Sequence, residues 1–306
     1  MITVLAGGTG SVKLVRGLVA QKNDVCVISN VGDNYWVYGM YVCPDIDTMI
    51  YGLADLLDYK RSWGIKNDTF NFLRQMEIFG EDTWFRMGDR DAATNLMRTN
   101  MLKDGKNLGF ITDWICKKFA IGTKIIPMTD NNIETRITTP RGEMHLQEFW
   151  VKHRGKEKVQ GISYMGIDKA RPNPEAINAI QNSSMVVIAP GNPLTSIGPM
   201  LELKGLQKEL TKAKKKTIAV SPFIGANAIS GPAAEYMKAA GIEPGVLGLS
   251  KMYSKVCGSM VIDTKDKKLS QKIREQEMTV YETKITMKTF AAEEALASFI
   301  LKQIKI

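Results

Sequence analysis

The chain has 306 residues, of which 44% are hydrophobic and 24% charged, a composition typical of a soluble globular protein. No apolar run approaches the roughly 18 residues of a membrane span, and no secretory signal is evident, so we expect a cytoplasmic protein with no membrane partner. The net charge of +9 fits small phosphorylated ligands. Because the basic run at 212–216 has no interleaved aromatic residues, we expect no nucleic-acid partner.

Strand-like and helix-like segments alternate at both ends of the chain. An apolar run at 2–5 predicts a buried strand, and the periodic run at 12–19 predicts the helix that follows it. Further strands are predicted at 25–29, 185–189, 217–220 and 260–262, and further helices at 203–212, 233–240 and 288–303. Such alternation is typical of an α/β fold, so we predict a Rossmann-like, mainly parallel sheet with helices on both faces.

The middle of the chain has a different pattern. Helices are predicted at 48–58, 68–78, 92–102 and 107–119, and short strands at 125–126, 133–138, 144–151 and 161–164. No repeat or low-complexity linker separates these segments from the rest. We therefore predict a single nucleotide-binding α/β unit over 1–306, with a mixed helical and β cap inserted at approximately 47–165.

A glycine-rich turn joins the first predicted strand to the first predicted helix. Backbone N–H groups and the positive end of a helix dipole meet at such a turn, which suits a phosphate. The turn is neither a P-loop, since no Gly-Lys-Ser/Thr ends it, nor a G-x-G-x-x-G fingerprint. The alternative is a tight turn that needs glycine only for its backbone angles. The candidate phosphate-binding residues are Gly7, Gly8, Thr9, Gly10, Ser11 and Lys13.

Two acidic segments precede predicted helices. Asp45 and Asp47 stand just before the first of these helices, where carboxylates either cap the helix or hold Mg²⁺, and both readings stay open. The segment 84–91 combines two aromatic residues with two arginines and two aspartates. Arginine clamps phosphate with paired donors and aromatic rings offer a flat surface to a ring system, whereas the alternative is a capped helix start.

Two further loops, 189–199 and 221–232, follow predicted strands and are rich in Gly, Pro, Asn and Ser. Their N–H and hydroxyl donors suit phosphate or the edge of a guanine. Because ligands bind outside the carboxyl ends of parallel strands, we expect these loops and the glycine turn to converge on one crevice. A serine hydrolase is not favoured, since the chain's two histidines, His145 and His153, both fall in the β part of the cap.

Five motifs, in this order, resemble those of the 2-phospho-L-lactate transferases, enzymes of coenzyme F-420 biosynthesis. They are Gly7-Gly8-Thr9-Gly10 with Lys13-Leu14, Cys43-Pro44-Asp45-x-Asp47-Thr48, Trp84-Phe85-x-x-Gly88-Asp89-Arg90-Asp91, Asn192-Pro193-x-x-Ser196-Ile197-x-Pro199, and Ser221-Pro222-x-x-Gly225 with Gly231-Pro232. The resemblance spans residue 2 to about residue 250, most of the chain.

The resemblance implies a transferase of a substituted phosphate group. The family moves a 2-phospholactyl group, or its enolpyruvyl counterpart, from a guanosine diphosphate conjugate to the ribityl hydroxyl of 7,8-didemethyl-8-hydroxy-5-deazariboflavin. GMP leaves, and Mg²⁺ assists. Displacement at phosphorus needs in-line positioning and charge neutralisation, so the lack of a protein nucleophile is no objection. The sequence does not separate the two donors, and it leaves a homodimer open as the subunit arrangement.

The resemblance also implies roles for individual residues. Asp45 and Asp47 are the candidate catalytic residues and the candidate metal ligands. The candidate deazaflavin-binding residues are Asp47, Arg86, Asp89 and Arg90. The candidate phosphate- and nucleotide-binding residues beyond the glycine turn are Asn192, Thr195, Ser196, Ser221 and Gly225.

Three positions depart from the family pattern. Gly191 stands where Ser is usual, Asn95 stands where His is common, and Asn34 follows Asp33 where two adjacent aspartates often occur. The last departure removes a carboxylate and moves our expectation for the metal toward Asp45 and Asp47.

One alternative function is that of a nucleotide-sugar-binding regulatory protein of a related family, without transferase activity. Another is an NAD-dependent dehydrogenase, which the missing third fingerprint glycine disfavours.

Overall fold

The computed structural model describes residues 1–21 and 24–303 and contains a seven-stranded sheet whose neighbouring strands are all parallel. The strands are β1 (Ile2–Ala6), β2 (Val25–Ser29), β3 (Tyr35–Val37), β4 (Met40–Val42), β5 (Lys124–Pro127), β6 (Glu134–Thr139), β7 (Gly142–His145), β8 (Gly161–Met165), β9 (Met185–Ile188), β10 (Thr217–Val220), β11 (Phe223–Ile224), β12 (Asn227–Ala228), β13 (Ser259–Asp263) and β14 (Thr279–Thr283). The α-helices are α1 (Gly8–Ala20), α2 (Pro44–Leu53), α3 (Asn71–Ile78), α4 (Asp89–Lys103), α5 (Leu108–Lys118), α6 (Pro174–Asn182), α7 (Gly198–Glu202), α8 (Lys204–Lys212), α9 (Ala233–Ala239), α10 (Val246–Tyr253), α11 (Ser270–Arg274) and α12 (Phe290–Leu301). The described residues also include a π-helical turn at Glu148–Lys152 and 3-10 turns at Lys214–Lys216 and Thr264–Leu269.

The order of the strands creates a reversal in the middle of the main sheet. The order is β14-β13-β10-β9-β1-β2-β5, so successive strands are added on one side of β1 and then, from β9 onward, on the other. Ile2 of β1 lies opposite Val25 on one side and Met185 on the other. In α/β sheets the crevice outside the carboxyl ends at such a reversal is where ligands bind.

The central strands are buried along their whole length, which explains their continuous apolar sequence. The structure confirms the predicted α/β class, and the strands predicted at 25–29 and 217–220 have those bounds. Helix α1 begins at Gly8 and not at residue 12, because the glycines form its first turn in spite of their low helix propensity. The edge strand β14 is absent from our predictions, since its residues are mostly half-exposed and polar.

The structure corrects the predicted cap at 47–165. Strand β5 falls inside this range but pairs with β2 as the edge of the main sheet, and α2 packs on α1 as part of the main core. The strand predicted at 144–151 ends at His145, where the chain enters the π-helical turn. A short apolar run predicts a strand but not the sheet that the strand joins, which is why the boundary was misplaced.

The cap consists of the antiparallel sheet β7-β6-β8, the helices α3 and α4, and the hairpin β3–β4, which precedes the predicted range. Two small apolar clusters hold it together. One contains Val37, Leu73 and Met87, and the other contains Ile137 and Phe149 with a side chain from α9. The second cluster therefore joins the cap to the main unit.

Helices α1 and α12 touch closely on one face of the main sheet. A Cβ atom at Gly17 would lie 2.3 Å from the backbone oxygen of Glu293, so only glycine allows this approach. Arg16 forms an ion pair with Glu293 at 3.7 Å and stacks over the ring of Phe290 at 5.1 Å. None of the helices in the described ranges combines the length and apolar character that a membrane crossing requires.

His145 at the end of β7 makes the stability sensitive to acid. It is fully buried, and the N–H of Gln147 donates to its Nδ1 at 3.0 Å. Burial lowers the pKa of His145 to about 4. Since the unfolded chain gains this proton near pH 6.5 and the folded protein does not, the free energy of unfolding falls as the pH drops from about 6.5 to 4, by at most about 3 kcal/mol.

The His145→Asn variant is expected to lose this part of the pH dependence when urea unfolding is followed between pH 7 and pH 4. The half-buried His153 offers the matched control, because His153→Asn leaves the buried imidazole in place. A native-like slope in His145→Asn would contradict the assignment.

Candidate functional site

A cleft of about 960 Å³ opens at the carboxyl ends of β1, β2, β9 and β10, at the reversal of the sheet. Residues from the segments 7–10, 44–48, 190–196 and 229–232 line it from the main unit. Residues from 61–64, 85–86 and 146–151 line it from the cap, and 285–288 line it ahead of α12. The predicted convergence of the strand-end loops on one crevice is confirmed.

The glycine turn and the loop after β9 touch each other at the floor of this cleft. A Cβ atom at Gly7 would lie 2.7 Å from the Cβ of Ser196, and one at Gly10 would lie 2.8 Å from the backbone oxygen of Pro190. Asn30, after β2, donates to Asp45 at 2.9 Å and to the backbone oxygen of Thr195 at 3.0 Å. Three strand-end loops are thereby fixed around one point.

Gly10 is required by the close approach of its backbone to the backbone of Pro190. We expect Gly10→Ala to lower the free energy of unfolding by about 1–3 kcal/mol, because its Cβ meets a backbone oxygen that cannot rotate away. Denaturant unfolding measures the change. The control is Gly122→Ala, at an exposed glycine with open space around its Cβ position. Equal stability of the two variants would show that the turn tolerates a side chain.

The first turn of α1 presents most of the predicted phosphate-binding residues to the cleft. Backbone N–H groups at a helix start have no partner within the helix and can bind an anion, and here the N–H of Gly8 already donates to the carboxylate of Asp45. Gly8, Thr9, Gly10 and Lys13 line the cleft. Ser11 is buried behind them, where its Oγ donates to the backbone oxygen of Gly7 at 2.7 Å and so holds the turn.

Two buried carboxylates, Asp33 and Asp45, lie beside this turn. Burial raises the pKa of Asp45 to about 6, although Asn30 and the N–H of Gly8 donate to it. Burial and the charge of Asp45 raise the pKa of Asp33 well above its usual value. Two carboxylates that are costly to ionise together form a place where a divalent cation would be stabilised. The sequence prediction did not include Asp33.

Asp47 has a different environment. It forms a buried ion pair with Arg98, whose side chain is wholly inaccessible to solvent. Arg98 also donates to Asn95 and to the backbone oxygen of Tyr41, the latter at 3.3 Å. Burial raises the pKa of Asp47 and Arg98 counteracts this, so its charge is balanced by the protein itself. Asp47 therefore offers less to a metal than Asp33 and Asp45 do.

No group of three or more His, Cys, Asp or Glu side chains close enough to hold a metal occurs among residues 1–21 and 24–303. Mg²⁺ commonly binds one or two carboxylates and completes its coordination with substrate phosphates and water. Asp33 and Asp45 beside a phosphate-binding turn fit that mode of binding. Asp45 thus remains a candidate metal ligand, with Asp33 as the better second carboxylate.

The structure places some of the predicted deazaflavin-binding residues in the cleft lining and others outside it. Arg86 lines the cleft, where it pairs with Glu77 at 3.5 Å and stacks over Phe70 at 5.4 Å. Asp89 lies outside the cleft lining and accepts hydrogen bonds from the 69–72 segment, which lower its pKa to about 2 against the opposing effect of burial. Arg90 is exposed, and its backbone N–H donates to a neighbouring carboxylate. A binding role for these two residues stays a prediction.

The predicted nucleotide-binding residues also lie partly in the cleft lining and partly outside it. Asn192, Thr195 and Ser196 line the cleft, and Asn192 Oδ1 accepts from the N–H of Thr195 at 3.2 Å. Ser221 is buried and bonds to the backbone of its own turn, while the N–H of Gly225 donates to a carboxylate after β13. The part of this loop that reaches the cleft is Pro222, Ile229, Ser230, Gly231 and Pro232.

Several cleft residues had no role in the sequence prediction. The aromatic side chains among them, together with Phe85 from the predicted 84–91 segment, are Tyr51, Trp63, Trp150 and Tyr236. The additional charged ones are Asp33, Arg61, Asp91 and Lys288. Most of them come from the cap or from the segment before α12, which are far in sequence from the glycine turn. Of the four charged residues, only Asp91 belongs to one of the five motifs, so its carboxylate within that motif was the feature that could have marked it as a site residue.

Comparison with known proteins agrees with the fold and the arrangement of motifs. The family described as 2-phospho-L-lactate transferase CofD matches residues 2–300. A 2-phospho-L-lactate transferase of Methanocaldococcus jannaschii is 40% identical to this chain, covering 99% of it and 97% of the relative. A protein of the same name from Methanosarcina mazei is 39% identical, covering 86% and 87% respectively.

Solved structures show the same fold at lower sequence similarity. Two crystal structures of a UPF0052-family protein from Bacillus halodurans superpose with TM-scores of 0.64 and 0.66, at 14% identity and with 98% of each chain covered. The match of a transferase family over residues 2–300, with relatives near 40% identity, establishes the family. The chain is a transferase and belongs to the 2-phospho-L-lactate transferase family.

Proposed function

We propose that this chain transfers a 2-phospholactyl or phosphoenolpyruvyl group from a guanosine diphosphate conjugate to the ribityl hydroxyl of 7,8-didemethyl-8-hydroxy-5-deazariboflavin. GMP is the leaving group, and the product belongs to coenzyme F-420 biosynthesis. The observation that carries the proposal is the meeting of the glycine turn, the loop after β9 and two buried carboxylates at the reversal of the sheet. That arrangement suits a diphosphate with its counter-ion.

The other side of the cleft suits a planar acceptor. Trp63, Phe85, Trp150 and Tyr236 supply apolar and aromatic surface from the cap and from α9. Aromatic rings favour stacking with a flat ring system, and the cleft volume of about 960 Å³ is within the range of small-molecule sites. The donor would therefore lie over the main sheet and the acceptor against the cap.

A bound Mg²⁺ would neutralise the negative charge on the oxygens of the transferred phosphoryl group, and Asp33 and Asp45 are the residues that would hold it. The N–H groups of the first turn of α1 bind the diphosphate oxygens. Asp47, held in place by Arg98, accepts a hydrogen bond from the acceptor. These groups act by orientation and electrostatics, which is what displacement at phosphorus requires.

A direct assay tests the proposal. Purified protein is incubated with the guanosine diphosphate conjugate of 2-phospholactate, the deazariboflavin and Mg²⁺, and GMP is measured by chromatography. GMP should appear only when all three are present. The phosphoenolpyruvate conjugate, run in parallel, identifies the donor. Nucleotide-sugar binding without GMP release from either donor would support the regulatory alternative.

Arg86 should matter more for the acceptor than for the donor. We expect Arg86→Met to raise the KM for the deazariboflavin about tenfold, since a charge-assisted hydrogen bond contributes about 1.5–3 kcal/mol, while the donor KM changes little. The matched control is Arg74→Met, at an exposed arginine of the cap outside the cleft lining. An equal rise in both KM values would contradict acceptor contact by Arg86.

A further inference from the structure

Asp91 is a cleft carboxylate that the proposed function leaves without a role. It lies in the first turn of α4, lines the cleft and is about nine-tenths buried. Its Oδ1 accepts from the hydroxyl of Tyr51 at 2.8 Å and from the amide of Asn95 at 3.4 Å. Its Oδ2 makes no hydrogen bond within the part of the chain that the structure describes.

The other three carboxylates of the cleft are already engaged. Asp45 accepts from Asn30 and from the glycine turn, and Asp33 is its neighbour. Asp47 is balanced by the guanidinium of Arg98. Asp91 stands apart from the Asp33–Asp45 pair and, unlike Asp47, has no cation at hydrogen-bond distance, while its Oδ2 is free of hydrogen bonds within the described residues. A carboxylate in this condition is suited to accept a proton.

We propose that Asp91 is the general base that takes the proton from the acceptor hydroxyl. The inference rests on the proposed function, because it needs a hydroxyl nucleophile within reach of Asp91, which lines the cleft as Asn95 and Arg86 also do. It adds a residue and a role to the candidate catalytic pair, Asp45 and Asp47. Asp47 then orients the acceptor, and Asp91 receives its proton.

The transfer forms one bond to phosphorus and breaks another. The acceptor oxygen forms a bond to the phosphorus that carries the lactyl or enolpyruvyl group. The bond from that phosphorus to the bridging oxygen breaks, and the bridging oxygen leaves with the electron pair as part of the GMP phosphate. The hydroxyl proton passes to Oδ2 of Asp91 and then to water, which restores the carboxylate.

The groups around Asp91 bring its pKa close to neutral pH. Burial, together with the charges of Asp47 and Asp68, raises the pKa of Asp91 to about 7, while Tyr51 and Arg98 counteract this effect. These groups face it from α2, from α4 and from the segment before α3. A general base works best when its pKa is close to the working pH.

An acidic residue in the first turn of a helix also stabilises the helix dipole, and this is the structural alternative for Asp91. The two roles predict different results. A dipole contribution affects folding and falls with salt, whereas a proton acceptor affects the rate of transfer and its pH dependence. Asp68 supplies the comparison, because its carboxylate accepts from the N–H groups of Arg90 and Asp91 at the start of α4 and lies outside the cleft lining.

The experiment measures GMP release at saturating donor, acceptor and Mg²⁺ for the native protein, Asp91→Asn, Tyr51→Phe and Asp68→Asn. Asp91→Asn should lower kcat roughly 10²- to 10⁴-fold, the usual contribution of general base catalysis, with both KM values within about threefold of native. Asp68→Asn should keep kcat within about threefold. Tyr51→Phe keeps the carboxylate but removes a donor to it, so the acid limb of the kcat profile should move to higher pH.

The outcomes separate the inference from the proposed function. If the native protein transfers and Asp91→Asn keeps a native kcat and pH profile, the base assignment is overturned while the transfer stands. A loss of kcat in Asp91→Asn equalled by Asp68→Asn, with no shift of the profile in Tyr51→Phe, would assign Asp91 a structural role. If the native protein releases no GMP from either donor, the proposed function and the inference both fail.

Discussion

Arg98→Met is expected to lower the free energy of unfolding by about 3–5 kcal/mol, because it leaves the carboxylate of Asp47 buried without its partner. Arg98 has no accessible surface, so water cannot replace the lost interaction. Asn95 and the backbone oxygen of Tyr41 also lose a donor. Urea unfolding, followed by circular dichroism and tryptophan fluorescence, measures the change.

Two further variants make this expectation specific. Adding Asp47→Leu to Arg98→Met should recover most of the loss, since an apolar pair of similar volume replaces a buried ion pair at little cost. Lys117→Met removes an exposed pair with Asp113 and should change stability by less than about 1 kcal/mol. A loss of that small size in Arg98→Met would show that the ion pair beneath the cleft contributes little to folding.

Asp45→Asn is expected to lower kcat by about 10²- to 10³-fold, the effect of losing several kcal/mol of transition-state stabilisation. The carboxylate lies against the glycine turn, where a Cβ atom at Gly7 would be 2.5 Å from Asp45 Oδ2. The rate of GMP release, titrated with Mg²⁺, should respond to higher concentrations than in the native protein. A native rate with native Mg²⁺ dependence would remove Asp45 from the site.

The same variant should be at least as stable as the native protein near neutral pH. Burial raises the pKa of Asp45 to about 6, so its ionised form is disfavoured by folding and a neutral amide of the same shape removes that penalty. Activity and stability therefore move in opposite directions. Asp55→Asn, at an exposed carboxylate outside the cleft lining, should leave both quantities near native. Parallel losses of activity and stability in Asp45→Asn would point to a disrupted fold.

The opposite behaviour of Asp45 and Asp47 follows from their partners. The two residues are two positions apart in the sequence and share the first turn of α2. Asp45 has amide donors and a neighbouring carboxylate, whereas Asp47 has a guanidinium. Our prediction from the sequence grouped them as one pair of candidate metal ligands, because the sequence does not show which side chains approach each of them.

Local sequence was sufficient for much of the fold. Buried parallel strands have continuous apolar sequences, so β1, β2, β9, β10 and β13 could be predicted, along with the loops that follow β1, β9 and β10. The glycine turn could be assigned to an anion because strand, turn and helix follow one another in the chain. Strand β14 and the boundary between the cap and the main sheet could not be predicted from local sequence. Edge strands and short strands are defined by the strand with which they pair, and that partner is distant in the sequence.

By itself the sequence determined the α/β class, the position of the glycine turn and the transferase family, because each depends on residues close together in the chain or on motifs in a set order. The tertiary structure decided that Asp33 joins Asp45, that Arg98 neutralises Asp47, and that Ser221 and Gly225 stay outside the cleft lining. It also brought Asp91 into the lining of the cleft. These facts depend on burial and on contacts across tens to hundreds of residues, which set the charge state and partners of a side chain and leave no local pattern in the sequence.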